Sequence, residues 1–397
     1  MQQQRIITVD ALRGIALFGI LLAHMIFWYS AGPLPNEMVT KYTDVLSKVF
    51  PIINDVLIAG KFFAFFSFLF GLSFYLQMQS MEARNDNFLL RYGWRIVLLG
   101  IIGLIHHAFW SGDILSIYAP LGLLLMPMRK ASNKVILIIG ILFALNVPGK
   151  LIEAIKFLMG NKGTNGFMDM DPKAYYAIMS KANLVELLKD NWKNLSVKFD
   201  YQIMSGRIYI TYGFFLLGMY TGRMGWFRNV EEAKPIIKKI CSRTALLSLI
   251  LLIIGFAIIG ANELFKLKWE QNLYIGFIFG IIYDSFNAFL VILYITGLTL
   301  LMYKPKWQKR LYPFATVGKL ALTCYLAQTA LGLIIYYNVG FGMVGKISPA
   351  LNWGIAILFF GFQSIVGRWW LKRFNYGPVE WLWRSATFFK WYPIMKG

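Results

Sequence analysis

The sequence predicts an all-α polytopic integral membrane protein, and three observations carry that prediction. Of its 397 residues 58% are hydrophobic, 17% aromatic and only 15% charged, against roughly 25% charged in ordinary globular chains. Many apolar runs approach the length a helix needs to cross a bilayer, about 20 residues at 1.5 Å each. Basic residues gather between alternate runs, the asymmetry of a chain threaded through a membrane. The same composition excludes a disordered or collagen-like chain. Two cysteines, Cys241 and Cys324, are too few and too far apart for a disulfide framework or a CxxC site.

Ten candidate spans follow: residues 11–30, 57–78, 94–110, 114–128, 134–152, 208–222, 244–262, 273–302, 315–337 and 353–371. The fourth has the shortest regular part, because Pro120 and Pro127 interrupt it. With the N-terminus inside, the inner connections carry sixteen Lys and Arg, from Arg84, Arg91 and Arg95 to Lys309 and Arg310. The short outer connections carry five: Lys41, Lys48, Lys266, Lys268 and Lys346. Both termini are therefore expected to be cytoplasmic. This topology accounts for the net charge of +21, and no nucleic-acid partner is expected. Asp10 and Arg13 at the entrance of the first run suit a retained helix better than a cleaved signal.

A single membrane domain covers 1–397, without internal repeats or low-complexity segments. Within it, 149–207 forms a long extracytoplasmic region. Asp171 followed by Pro172 reads as an N-cap and first helical residue. Ile178, Val185, Leu188, Trp192 and Leu195 then recur near helical spacing. They predict an amphipathic helix that lies on the outer leaflet, the plainer reading, or lids a cavity. At the other end, Gly377 and Pro378 end the last span and start a short interfacial helix. Its aromatic residues, Trp381 and Trp383 among them, suit headgroup level.

Ionisable groups within spans are costly and therefore mark candidate sites. From Arg13 to His24 is about three helical turns, roughly 16 Å of rise, and Asp10 stands one turn before Arg13. All three histidines, His24, His106 and His107, fall in candidate spans. Threading puts His24, His106, His107, Asp113 and Lys61 in the outer half of the membrane, with Asp284 deeper. Each has a plainer reading. A membrane histidine can be a packing residue, Lys61 can snorkel, Asp113 and Asp284 can pair to cancel charge, and Gln328 can join helices. Adjacent His106 and His107 point roughly 100° apart, so they do not converge on one ion, and no metal is expected.

Three blocks together resemble a known family. The first runs from Arg5 through Asp10-Ala11-Leu12-Arg13-Gly14 to His24. The second comprises Lys61 through Gly71 and then Trp110-Ser111-Gly112-Asp113-Ile114-Leu115. The third joins Gly318-Lys319-Leu320-Ala321-Leu322-Thr323-Cys324-Tyr325 and Gln328 to Gly377-Pro378-Val379-Glu380-Trp381-Leu382-Trp383-Arg384. They resemble the YeiB-like bacterial membrane proteins (domain of unknown function 418) over nearly the whole chain. The opening block is also similar to those of membrane acyltransferases of the acyltransferase-3 and heparan-alpha-glucosaminide N-acetyltransferase types. In the former, an Asp-x-Leu-Arg-Gly stretch precedes a functional His, which Asp10, Leu12, Arg13, Gly14 and His24 match at similar spacing. YeiB-like sequences and the heparan enzyme usually have Asn at that last position, so His24 departs from them toward proton-transfer chemistry. The heparan enzyme's further His in its first outer loop has no counterpart between Trp28 and Leu57.

The resemblance implies an inner-membrane acyltransferase. It would move an acetyl-like group from cytoplasmic acyl-CoA, such as acetyl-CoA, to an extracytoplasmic glycan or lipid-linked sugar. His24, His106 and Asp113 are the expected catalytic residues. Asp10, Arg13, Lys61, Arg91, Arg95, Asp284 and Gln328 are expected to bind donor or acceptor. Two other classes stay open: a transporter or channel for a small solute or lipid intermediate, and a non-catalytic sensor or scaffold presenting its outer region to a partner.

Overall fold

The computed structural model describes residues 6–84, 86–159, 170–267 and 273–396; Arg5, Lys268 and residues 160–169 of the outer region lie outside them. The chain is an all-α membrane protein, with no strand among the described residues beyond an isolated bridge between Phe374 and Met395. α1 (Ile7–Met25) leads through α2 (Asn36–Val39) to α3 (Val45–Ile53), which passes by a π-helical turn at Asn54–Ile58 toward α4 (Phe62–Glu82). Next come α5 (Phe88–Phe109), α6 (Leu115–Met128), α7 (Asn133–Ala144) and α8 (Val147–Leu158). Region 149–207, expected outside the membrane, supplies α9 (Pro172–Lys181), α10 (Leu184–Lys193) and α11 (Leu195–Met204). The second half holds α12 (Arg207–Arg223), α13 (Val230–Phe265), α14 (Leu273–Met302) and α15 (Pro305–Lys319), then α16 (Ala321–Tyr336), α17 (Pro349–Arg373) and α18 (Pro378–Phe388).

Among the described residues, six helices are long and apolar enough to cross a bilayer, or up to eight if each of two bent pairs is one span. The ten spans expected from the sequence are thus not reached. Run 114–128 becomes α6, whose 14 residues rise about 21 Å, short of the roughly 30 Å hydrocarbon core. Run 208–222 becomes α12, 17 residues bounded by Arg207 and Arg223 and buried along most of its length. Run 134–152 bends by 51° between α7 and α8, where Asn146 is left-handed at φ 57° and Pro148 opens the next helix. Run 315–337 breaks by 80° between α15 and α16.

Glycines set the closest crossings. A Cβ on Gly14 would sit 1.9 Å from the Phe314 carbonyl oxygen, and one on Gly318 would sit 1.8 Å from that of Asp10. The first and third sequence blocks therefore meet backbone to backbone where α1 crosses α15. Gly71 and Gly218 do the same for α4 and α12, against Phe215 and Phe68. At the C-terminus, Pro378 starts α18 as expected, and the Glu380 carboxylate accepts from the Leu322 and Thr323 amides at 2.7 and 3.0 Å. These are free N–H groups of the first turn of α16, so α18 caps the helix that the 80° break leaves open.

The outer region departs from the single helix expected. Asp171 caps α9, accepting from the Lys173 amide at 3.0 Å with Pro172 next to it. However, Asn183 and Glu186 form a capping box that restarts the helix as α10, and Asn194 interrupts it again before α11. Leu187, Asn191, Lys198 and Gln202 are buried, while Val185 and Trp192 are exposed. Both faces are mixed: Tyr175 and Met179 are buried with them, and Glu186, Lys189 and Lys193 are exposed beside Val185 and Trp192. The region packs over the site and lines it through Asn191, Lys198 and Gln202.

Candidate functional site

Two cavities of about 310 Å³ each flank α1. One lies at its His24 end, under the cover formed by α9–α11, and the other at its Arg13 end, beside α18. Ile20, Ile114 and Tyr325 line both. The two cavities therefore adjoin across these three side chains, which stand at the neck between them.

His24 and Asp113 line the His24-end cavity together with Trp110, Lys198 and Arg207. His24 is half-buried. Its ring meets Trp110 edge-on at 4.8 Å and Tyr29 at 5.2 Å, and among the described residues it has no hydrogen-bond partner. Trp28 and Tyr29, just beyond α1, are both left-handed at φ 53° and 57°. That costly backbone is held because the Tyr29 carbonyl accepts from Trp110 Nε1 at 2.9 Å and the Ile347 carbonyl from Trp28 Nε1 at 2.8 Å.

Asp113 is 1% exposed and fully committed. Oδ1 accepts from His106 Nδ1 at 2.8 Å and from the Leu115 amide at 2.9 Å. Oδ2 accepts from the Ser116 amide at 2.8 Å and from Lys198 Nζ at 3.2 Å. Burial opposes ionisation, but the His106 hydrogen bond and the Lys198 ammonium outweigh it and hold the carboxyl below the usual carboxylate range. Lys198 also donates to Ser116 Oγ at 2.7 Å; burial pushes its pKa down against the pull of Asp113. This carboxylate joins α5, α6 and α11.

His106 does not line the cavity. It stands behind Asp113, 6% exposed, with Nε2 unpartnered. His107 turns the other way, its Nε2 donating to the Asn191 carbonyl at 2.8 Å.

The Arg13-end cavity is cationic. Arg13, Arg95, Lys319 and Arg384 line it. Arg13 is paired with Asp10 at 2.9 Å and donates to Ser73 Oγ at 2.6 Å. Arg95 stacks on Trp383 of α18, 3.6 Å from the ring centroid. Glu380 also lines this cavity, with its carboxylate already serving α16.

Five expected binding residues line neither cavity. Arg91 donates to the Thr387 carbonyl at 3.4 Å and lies over Phe388. Lys61, fully buried, donates to the Asp55 carbonyl at 2.6 Å and faces Tyr283 and Phe286. Asp284 accepts from Asn146 at 2.8 Å and lies 3.6 Å from Lys150, at the bend between α7 and α8. Gln328 donates to Gln363 Oε1 at 3.0 Å, joining α16 to α17. Asp10 pairs with Arg13, which lines the Arg13-end cavity. Conversely, Lys198, Arg207, Tyr325, Lys319 and Arg384 were not anticipated as site residues. For Lys198 a signal existed: Asn191, Asn194, Lys198 and Gln202 form a polar stripe at helical spacing.

Fold and site together define a polytopic helical membrane protein with a two-chambered site, cationic at one end and histidine-bearing at the other. The family profile described as "Protein of unknown function (DUF418)" matches residues 221–390. Full-length relatives include uncharacterized protein YxaH of Bacillus subtilis (strain 168), 29% identical over 100% of this chain and 97% of its own length. Uncharacterized protein YeiB of Escherichia coli (strain K12) is 25% identical over 97% and 96%. The chain is thus similar over nearly its whole length to these YeiB-like proteins, and its second half matches the DUF418 profile.

Proposed function

We propose that the chain is an acyltransferase of the bacterial inner membrane with cytoplasmic termini. It takes an acetyl-like group from acyl-CoA on the cytoplasmic side and delivers it to a hydroxyl or amine of an extracytoplasmic glycan or lipid-linked sugar. The observation that carries the reading is the meeting of the two cavities along α1 at Ile20, Ile114 and Tyr325. Arg13, Arg95 and Arg384 suit the phosphates of CoA, which guanidinium groups bind through paired hydrogen bonds. The narrow pantetheine arm suits a neck, and the rise from Arg13 to His24 is roughly 16 Å.

At the outer end His24 takes the proton of the acceptor as its oxygen or nitrogen attacks the thioester carbonyl. The carbon–sulfur bond breaks, and His24 returns the proton to the departing thiolate. Asp113, with four donors already bound, acts by positioning His106, α6 and the cover rather than as a base. The test is transfer from a panel of acyl-CoA donors to sugar acceptors by purified protein. Transfer by the wild type that is lost in His24→Ala supports the reading; equal behaviour of the two removes its support.

A transport reading has one observation of its own. Asp284, Asn146 and Lys150 gather where α7 bends into α8, and charge at a broken helix suits a solute path. Solute flux in proteoliposomes that requires Asp284 but not acyl-CoA would favour it.

A further inference from the structure

Tyr325 belongs to the third sequence block, and no role above uses it. It lines both cavities and therefore stands at their neck. The residue is 5% exposed, and its ring meets that of His106 edge-on at 5.1 Å. Its hydroxyl lies beside the Ile114 backbone amide yet has no hydrogen-bond partner. Tyr118, in the cationic cavity, shows the contrast, since its hydroxyl is bound to Ser67 at 2.7 Å.

The turn bearing Tyr325 is held firmly. Glu380 caps it from α18, and Gln363 of α17 donates to the Cys324 carbonyl at 2.9 Å while accepting from Gln328. A buried hydroxyl left unpaired costs stability, and phenylalanine would fill the same space without that cost. A rigidly mounted donor at a neck, paid for in this way, fits a ligand oxygen that arrives there.

We propose that the Tyr325 hydroxyl binds the carbonyl oxygen of the acyl thioester and is the donor for the oxyanion formed on attack, which makes the neck the point of acyl transfer. The inference rests on the acyl-transfer reading. As the acceptor's oxygen or nitrogen bonds to the carbonyl carbon, the C=O π pair moves onto oxygen, where the Tyr325 O–H stabilises it. The pair then re-forms the carbonyl, the C–S bond breaks, and the thiolate leaves with the proton first taken from the acceptor. Tyr325 itself exchanges no proton.

The experiment compares acetyl-CoA with S-ethyl-CoA, a thioether lacking the carbonyl, by calorimetry on the full chain in nanodiscs. Wild type should bind acetyl-CoA on the order of threefold to tenfold more tightly, the effect of one hydrogen bond, and Tyr325→Phe should bind both alike. Its kcat for transfer should fall about 100- to 1000-fold, with KM for the donor rising only by the roughly threefold to tenfold lost in binding. Its thermal midpoint should equal or exceed that of the wild type, since no protein contact is lost. A Tyr325→Phe variant that keeps the preference for acetyl-CoA, or the wild-type kcat, overturns the role of Tyr325 alone. A wild type that binds neither compound overturns the acyl-transfer reading itself, and this inference with it.

Discussion

Adjacent His106 and His107 hold their protons on opposite ring nitrogens. The Asp113 carboxylate accepts from His106 at Nδ1, leaving its Nε2 bare, whereas the Asn191 carbonyl accepts from His107 at Nε2, so its Nδ1 faces the Lys198 ammonium at 3.3 Å. Lys198 thus stands between one histidine and the carboxylate that holds the other. Lys198 and Asp113 fix α11 against α5 and α6.

Removing the carboxylate should therefore loosen more than one helix. Asp113→Ala leaves Lys198 buried without its counter-ion, and the expected loss of stability is about 3–5 kcal/mol. The double variant Asp113→Asn/Lys198→Met should recover part of it, because the orphaned charge is gone. Thermal unfolding of the detergent-solubilised proteins measures both.

The same carboxylate gives a pH signature. Its folded pKa lies below the unfolded value, about 3.9 for an ordinary aspartate. Its contribution is then complete above the unfolded value and is lost as pH falls through the folded one. The stability gap between wild type and Asp113→Asn should stay constant from pH 7 down to about pH 4 and shrink below that. A gap that already closes between pH 7 and 5 would contradict this assignment.

Backbone contact between α1 and α15 predicts a sharp contrast among glycines. Gly14→Ala and Gly318→Ala would drive a methyl group into carbonyl oxygens at 1.9 and 1.8 Å, parting the helices that carry Arg13 and Lys319. We expect destabilisation of about 1–3 kcal/mol or more and weaker acetyl-CoA binding. Gly255→Ala, with nothing within 4 Å of the added atom, should gain about 0.5–1 kcal/mol from helix propensity.

Donor binding and chemistry should separate along α1. Arg95→Ala and Arg384→Ala should each raise KM for acetyl-CoA about tenfold to 100-fold, the effect of a lost charged hydrogen bond, with kcat little changed. Neither should affect acetyl-pantetheine, which lacks the nucleotide. His24→Ala should instead lower kcat by about 100- to 10,000-fold for both donors. Steady-state kinetics with the two donors distinguish these effects.

Much of this arrangement was legible in the sequence. The helical class followed from apolar length, and the cavity shared by His24 and Asp113 followed from threading ionisable groups to one side. Less legible was the break between α15 and α16, because apolar residues continue through Leu320 and Ala321 and the cap, Glu380, lies 58 residues beyond Leu322. Asp284 and Lys61 line neither cavity, because depth in a span does not say which cavity a helix faces. The polar stripe of α11 marks Lys198 as facing protein but does not name Asp113 as its partner. A partner separated by 85 residues leaves no local spacing to read.

The central claim is that one passage along α1 connects a cytoplasmic donor to an outer acceptor. Proteoliposomes of uniform orientation, loaded with radiolabelled acetyl-CoA and given a membrane-impermeant sugar acceptor outside, test it directly. Label should appear on the external sugar with wild type and not with His24→Ala. Equal labelling by the two proteins, or labelling only when donor and acceptor share a compartment, would contradict it.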